Sequence, residues 1–128
     1  MGIIRLYEIC PEAEKAGIEN AVVTGVTDNT AEVKQGSIFV CVKGARFDGH
    51  SAAAEMLSKG AVMIVTDHDI KCGKQLVTDN TRLCLARLLN SFYGKPSEKL
   101  GLLAVTGTNG KTTTAHFVKY ILTTLGKK

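Results

Sequence analysis

Along the first hundred residues, short apolar runs alternate with stretches whose apolar positions recur at helical spacing. Residues 21–26 (AVVTGV) and 37–42 (SIFVCV) are rich in β-branched side chains and predict strands. Residues 51–59 (SAAAEMLSK) are helix formers behind Ser51 as a candidate N-cap, and Gly60 ends them. Residues 61–66 (AVMIVT) are continuously apolar, which predicts a strand covered on both faces. A second helix is predicted from about Asp79 to Tyr93, with Leu83, Leu85, Ala86, Leu88, Leu89 and Phe92 as its apolar stripe and Arg82 and Arg87 toward solvent. Gly94 and Pro96 stop it and mark the best domain boundary in the chain. Beyond them, residues 100–106 predict another apolar strand and residues 111–125 another helix. Helix followed by buried strand is the repeating unit of an α/β sheet. The expected organisation is therefore a small α/β domain over residues 1–99 and the beginning of a second domain over 100–128. The pentapeptide VTDNT occurs at 26–30 and at 77–81; its flanks differ, so it marks two similar turns rather than a duplication.

The junction between the last predicted strand and helix carries the sharpest chemical signal. Residues 102–114 (LLAVTGTNGKTTT) run from an apolar strand into a glycine-containing loop, then Gly-Lys-Thr, then a helix. Glycines let backbone N–H groups close around phosphate oxygens, and the helix N-terminus adds unpaired donors and the positive end of its dipole. In that reading Gly107, Thr108, Asn109, Gly110, Lys111, Thr112 and Thr113 bind nucleotide phosphates. Lys111 reaches the terminal phosphates and the Thr112 hydroxyl sits on Mg²⁺. The strict eight-residue pattern has glycine where this chain has Val105, so the loop is a variant in the expected strand–loop–helix setting. No Asp or Glu follows Glu98, although phosphoryl transfer needs a metal held partly by an acid on a later strand. One strand and one helix cannot cover both faces of a nucleotide-binding sheet, so the chain reads as cut off just inside its second domain.

Composition adds exclusions. The 128 residues are 45% hydrophobic and 22% charged, the balance of a globular protein rather than a disordered one. No apolar run approaches the ~20 residues of a membrane-spanning helix. The net charge of +4 would ordinarily prompt a search for nucleic acid or anionic membrane. Residues 1–99, however, carry 12 basic and 12 acidic side chains, so the surplus lies wholly in Lys111, Lys119, Lys127 and Lys128. That distribution supports neither partner. Cys10, Cys41, Cys72 and Cys84 show no metal-ligand spacing and read as free thiols of a reducing cytoplasm.

Residues 106–114 (TGTNGKTTT) resemble the ATP loop of the Mur ligases, which build the peptide stem of the bacterial cell wall. Residues 92–100 (FYGKPSEKL) are similar to the segment leading into that loop in the branch that adds the third stem residue. Residues 33–40 (VKQGSIFV) and 43–50 (KGARFDGH) resemble the family's first domain, which holds the UDP end of the substrate. The branch adding the terminal dipeptide shares the Phe-Asp-Gly-His stretch; Thr108 and the Phe-Tyr-Gly-x-Pro-Ser segment favour the third-residue branch.

The resemblance implies an ATP-dependent amide ligase of peptidoglycan synthesis, with ATP and Mg²⁺ as cofactors. It would phosphorylate the free carboxylate of UDP-MurNAc-L-Ala-D-Glu, and L-Lys or meso-diaminopimelate would then attack the acyl phosphate. Lys111 and Thr112 would be its catalytic residues in this chain. The family's Asp-Ser-Arg triplet, which contacts the UDP-sugar, falls on Asn29, Thr30 and Ala31. Ala31 lacks the guanidinium fork, so either another cation such as Arg46 replaces it or nucleotide binding is weaker. Gly44, Ala45, Arg46 and Phe47 match the segment near uracil, where Phe47 either stacks on the base or packs in the core. His50 reads as a capping or packing residue, His116 as a packing or partly exposed one, and His68 as part of a surface turn with Asp67 and Asp69. Two readings compete with this one: a fragment of the dipeptide-adding branch, and a stand-alone UDP-sugar-peptide binding module without ligase activity. Oligomeric state cannot be read, although an exposed strand at 100–106 could pair with a neighbour's edge.

Overall fold

The structure, a computed structural model, describes residues 3–45 and 47–127. It falls into two compact units, Met1–Glu98 and Lys99–Lys128. In the first, α1 (Leu6–Ile9) and α2 (Glu12–Lys15) precede β1 (Gly25–Thr27) and β2 (Ser37–Val40). A 3₁₀ turn over Gly49–Ala52 leads into α3 (Ala53–Ser58), followed by β3 (Met63–Thr66), β4 (Gln75–Val77) and α4 (Thr81–Phe92). The four strands form one parallel sheet in chain order, with Val26 beside Ile38, Phe39 beside Ile64, and Val65 beside Leu76.

Both faces of the sheet are covered, which is why its two central strands are continuously apolar. Ile38 and Val40 of β2 and Met63 and Val65 of β3 pack with Leu6, Ile9, Ala13, Leu88 and Phe92, under α1, α2 and α4. The alternate positions, Phe39, Cys41 and Ile64, pack with Ala53, Met56 and Ala61 under α3. Gly36 enters β2 with φ +87°, and a Cβ there would lie 2.8 Å from Thr24 Cγ2. Only glycine fits the backbone where it turns into the central strand.

Several expectations shift. The apolar run 21–26 divides between two partners: Val22 forms an antiparallel bridge with Arg5, the Val23 amide donates to the Ile4 carbonyl at 2.9 Å, and the sheet strand proper is Gly25–Thr27. The helix expected behind Ser51 begins instead with the 3₁₀ turn, capped by Asp48. Its carboxylate accepts from the His50 amide at 3.0 Å, and its carbonyl accepts from the Ser51 hydroxyl at 2.8 Å. In α4 the cap is Asn80, which accepts from the Leu83 amide at 2.9 Å. Leu83 and Ala86 of the expected stripe are exposed, and Leu88 and Phe92 carry the burial.

Among the described residues the second unit holds one helix, α5 (Lys111–Thr124). Residues 100–106, expected as a strand, pair with no other strand among the described residues. Leu102 and Leu103 stand 82% and 68% exposed. A run of apolar side chains makes a strand only where a neighbouring backbone accepts its hydrogen bonds. Phe117, Tyr120, Ile121 and Leu125 of this unit are likewise exposed.

Candidate functional site

Parallel strands all point the same way, so their C-terminal ends, where loops gather chemistry in α/β proteins, lie along one edge. The loop after β1 is drawn together by Glu32, whose carboxylate accepts from the Thr27 hydroxyl at 2.9 Å and from Asn29 Nδ2 at 3.1 Å. Asn29 Oδ1 accepts from the Ala31 amide at 3.0 Å, an Asx turn. The loop after β2 closes through the Gly44 amide, which donates to the Phe47 carbonyl at 2.9 Å, and the Lys43–Asp48 bridge.

A cleft of about 590 Å³ opens here, lined by Asp28, Val42, Gly44, Phe47, Arg82 and Leu85. Of the residues assigned from sequence to the UDP end, Gly44 and Phe47 line it. Asn29, Thr30 and Ala45 do not, and Arg46 lies outside the described residues. Phe47 is 54% exposed, which removes the core alternative for it. Arg82, read from sequence as a solvated helix position, donates through Nη2 to the Lys43 carbonyl at 3.2 Å and so ties the start of α4 to the loop after β2. Its signal was its place just after the second VTDNT turn, where α4 starts beyond β4. A groove of about 580 Å³ lies elsewhere in this unit, lined by Cys10, Leu76, Leu83, Cys84 and Arg87 among others, and contains none of the predicted site residues.

The glycine loop belongs to the second unit. Gly107 (φ +149°) and Gly110 (φ +75°) both adopt left-handed backbone, and Gly110 is the N-cap of α5 with no side chain capping it. The first intrahelical amide is that of Thr114, bonded to the Gly110 carbonyl at 2.9 Å. The amides of Lys111, Thr112 and Thr113 therefore face outward from the helix end as free donors. Lys111 reaches back so that its ammonium donates to the Gly107 carbonyl. Thr108, Asn109, Thr112 and Thr113 are all exposed. Three amide donors and a dipole end thus lie at one helix terminus with a cation beside them, an arrangement suited to an anion.

A third cluster was not anticipated as a unit. The His50 ring is 9% exposed and stacks on His68, with centroids 4.8 Å apart. Its Nδ1 lies 2.5 Å from Asp48 Oδ1 and its Nε2 3.1 Å from Asp67 Oδ1, while Asp67 also pairs with His68 Nδ1. The hydrogen bond from His50 holds the Asp48 carboxyl below the usual carboxylate range, and that from His68 does the same for Asp67. His116 is exposed on α5.

The fold and site define a parallel α/β protein followed by a glycine loop at a helix N-terminus. The profile of the "Mur ligase family, catalytic domain" matches residues 22–105, and the chain belongs to that family. It is 41% identical over 107 residues to the UDP-N-acetylmuramoyl-L-alanyl-D-glutamate--2,6-diaminopimelate ligase of Aquifex aeolicus, covering 83% of this chain and 22% of that one. The enzyme of the same name from Bacillus licheniformis is 40% identical, over 88% of this chain and 23% of that one. The chain thus spans less than a quarter of these relatives. Among solved structures, MurF from Acinetobacter baumannii superposes with a TM-score of 0.66 at 26% identity, over 98% of this chain and 29% of that one. MurF from Thermotoga maritima, solved in complex with ADP, gives 0.52 at 33% identity over 77% of this chain and 23% of that one.

Proposed function

We propose that this chain supplies the substrate-holding module and the ATP phosphate loop of an amide ligase that extends UDP-MurNAc-L-Ala-D-Glu in peptidoglycan synthesis. The observation carrying this is the glycine loop of a Mur ligase family chain, with two left-handed glycines opening onto the N-terminus of α5. The names of the matched relatives favour 2,6-diaminopimelate over L-Lys as the added amino acid. In this reading residues 1–99 hold the UDP end and residues 100–128 begin the ATP-binding domain.

The residues present fit ATP and Mg²⁺. The amides of Lys111, Thr112 and Thr113, with Gly107, Thr108, Asn109 and Gly110, form the phosphate cradle, and the Lys111 ammonium has only the Gly107 carbonyl to leave. The Thr112 hydroxyl enters no hydrogen bond among the described residues and is free to hold Mg²⁺. When bound, ATP supplies the phosphoryl group that activates the D-Glu carboxylate. The loop amides would stabilise negative charge on the transferring group because they are fixed before it arrives, and Lys111 would add its charge once it swings from Gly107. At the UDP end, Phe47 is exposed for stacking and Gly44 brings its backbone close; Asn29, Thr30, Ala45 and Arg46 are assigned to the substrate by the family resemblance alone. Free Cys10, Cys41, Cys72 and Cys84 favour a cytoplasmic location.

The solved structures matched are of the dipeptide-adding enzyme, which favours a second reading as part of that branch. The higher identity to the diaminopimelate ligases weighs against it. Calorimetric titration of the 128-residue chain tests the substrate-holding assignment that both readings share. Saturable one-to-one binding of UDP-MurNAc-L-Ala-D-Glu is expected. No binding overturns the module assignment. The chain alone, with no acid after Glu98 to complete a metal site, is expected to release no phosphate from ATP with both substrates supplied.

A further inference from the structure

Beyond the ligase reading, the geometry points to a site for a borderline transition-metal ion such as Zn²⁺, held by His50 Nε2, the Asp67 carboxylate and His68 Nδ1, with Asp48 orienting His50. The three donor atoms lie within 4.8 Å of one another. His50 Nε2 is buried and has no hydrogen-bond partner, although Asp67 Oδ1 is only 3.1 Å away. With Nδ1 against the Asp48 carboxylate, the neutral ring carries its proton there, which leaves the Nε2 lone pair turned toward Asp67. A lone pair and a carboxylate oxygen at this distance repel unless something positive lies between them.

A proton or a metal ion can fill that role, and the two demand different geometry. A proton requires the acceptor oxygen to lie along the ring N–H direction. A metal ion lies on that direction itself and takes the oxygen from the side, so that with bonds of about 2.0–2.2 Å a tetrahedral pair stands about 3.4 Å apart. At 3.1 Å the separation alone suits a proton as well as a metal, but Asp67 does not meet hydrogen-bond geometry toward Nε2, and that favours the metal. A carboxylate behind the other ring nitrogen is the usual support of a metal-binding histidine. His68 Nδ1 is paired with the same Asp67 oxygen, and its ring, 63% exposed, would turn that nitrogen onto the ion, leaving the fourth position to water. Two imidazoles and one carboxylate suit Zn²⁺, Co²⁺ or Ni²⁺ rather than Mg²⁺, so this site is chemically distinct from the one proposed at Thr112. Asp48 and His50 follow the loop after β2, and Asp67 and His68 follow β3, so the ion would tie those two loops together.

Co²⁺ titration of the whole 128-residue chain, followed by its visible d–d absorption, tests this. One equivalent is expected to produce the intense spectrum of a low-coordinate site, and Zn²⁺ to displace it. His68→Ala and Asp67→Asn, both at exposed positions, should weaken binding at least ~10-fold, and Asp48→Asn by ~10–100-fold. His116→Ala should leave binding unchanged, and circular dichroism should show every variant folded. A spectrum unchanged from aqueous Co²⁺, binding insensitive to His68→Ala, or an imidazolium His50 by ¹⁵N NMR at saturating metal would overturn the proposal.

Discussion

Lys111 holds the first position of α5 and folds its ammonium back over the loop onto the Gly107 carbonyl. It is exposed, so replacing it changes ligand binding without touching the core. Lys111→Met is expected to lower the affinity of the chain for ATP at least ~10-fold, since a charge-assisted contact contributes about 1.5–3 kcal/mol. Calorimetry reads the loss, and an unchanged circular dichroism spectrum assigns it to the loop. Two phenylalanines make the complementary contrast. Phe39 is wholly buried under α3 and Phe47 is 54% exposed at the cleft. Phe39→Ala should lower unfolding stability by about 3–5 kcal/mol through the cavity it leaves. Phe47→Ala should stay within about 0.5 kcal/mol of the parent while weakening the UDP-substrate. Urea titration of both variants checks the pair.

At the level of elements, legibility followed whether an element's partner was local. Residues 61–66 were readable as a doubly covered strand because apolar continuity is a property of the segment itself, and β3 lies within that run. The run 21–26 was misread in extent because its first half pairs with the segment around Arg5, which no local pattern announces. The two short helices at the N-terminus were not anticipated either: each spans four residues, too few for a periodic stripe. Residues 100–106 had the composition of a strand but lack a pairing neighbour among the described residues. The backbone of the glycine loop, with left-handed Gly110 opening α5, was legible because glycine and the helix behind it are local signals. Arg82 and the His50–Asp67–His68 cluster were not, since they join residues brought together only by the sheet. The capping of α4 offers a direct test at this scale. Asn80→Ala removes the acceptor for the Leu83 amide and should cost about 1 kcal/mol by urea denaturation.

For the whole molecule, buried thiols set the response to alkali. Burial pushes the Cys10 thiol up to about 11 and the Cys41 thiol up to about 12, from an ordinary 9.0. The folded state therefore holds these protons more tightly than the unfolded chain does. Their contribution to stability is complete below about pH 9 and is lost as pH rises toward 11 and 12. The urea midpoint should accordingly be insensitive to these groups near neutrality and fall across that alkaline window. Cys10→Ala and Cys41→Ala should each flatten the alkaline decline. If the midpoint of the parent is level from pH 8 to 11, the protection assigned to these thiols is wrong.

The chain-order arrangement of the sheet also bears on how the protein folds. Each strand pairs with the next one along the chain, so Gly25 meets Ser37, Ile38 meets Met63, and Ile64 meets Gln75, with no pairing that skips a strand. Pairing each strand with its chain neighbour keeps the loop-closure entropy below that of a sheet whose strands skip one another. Assembly can begin at the wholly buried β2–β3 pair and add β1 and β4 at its margins. Amide exchange should then be slowest at Phe39 and Ile64 and fastest at the margins, so that the loop after β1 is anchored on a strand that opens before the centre does.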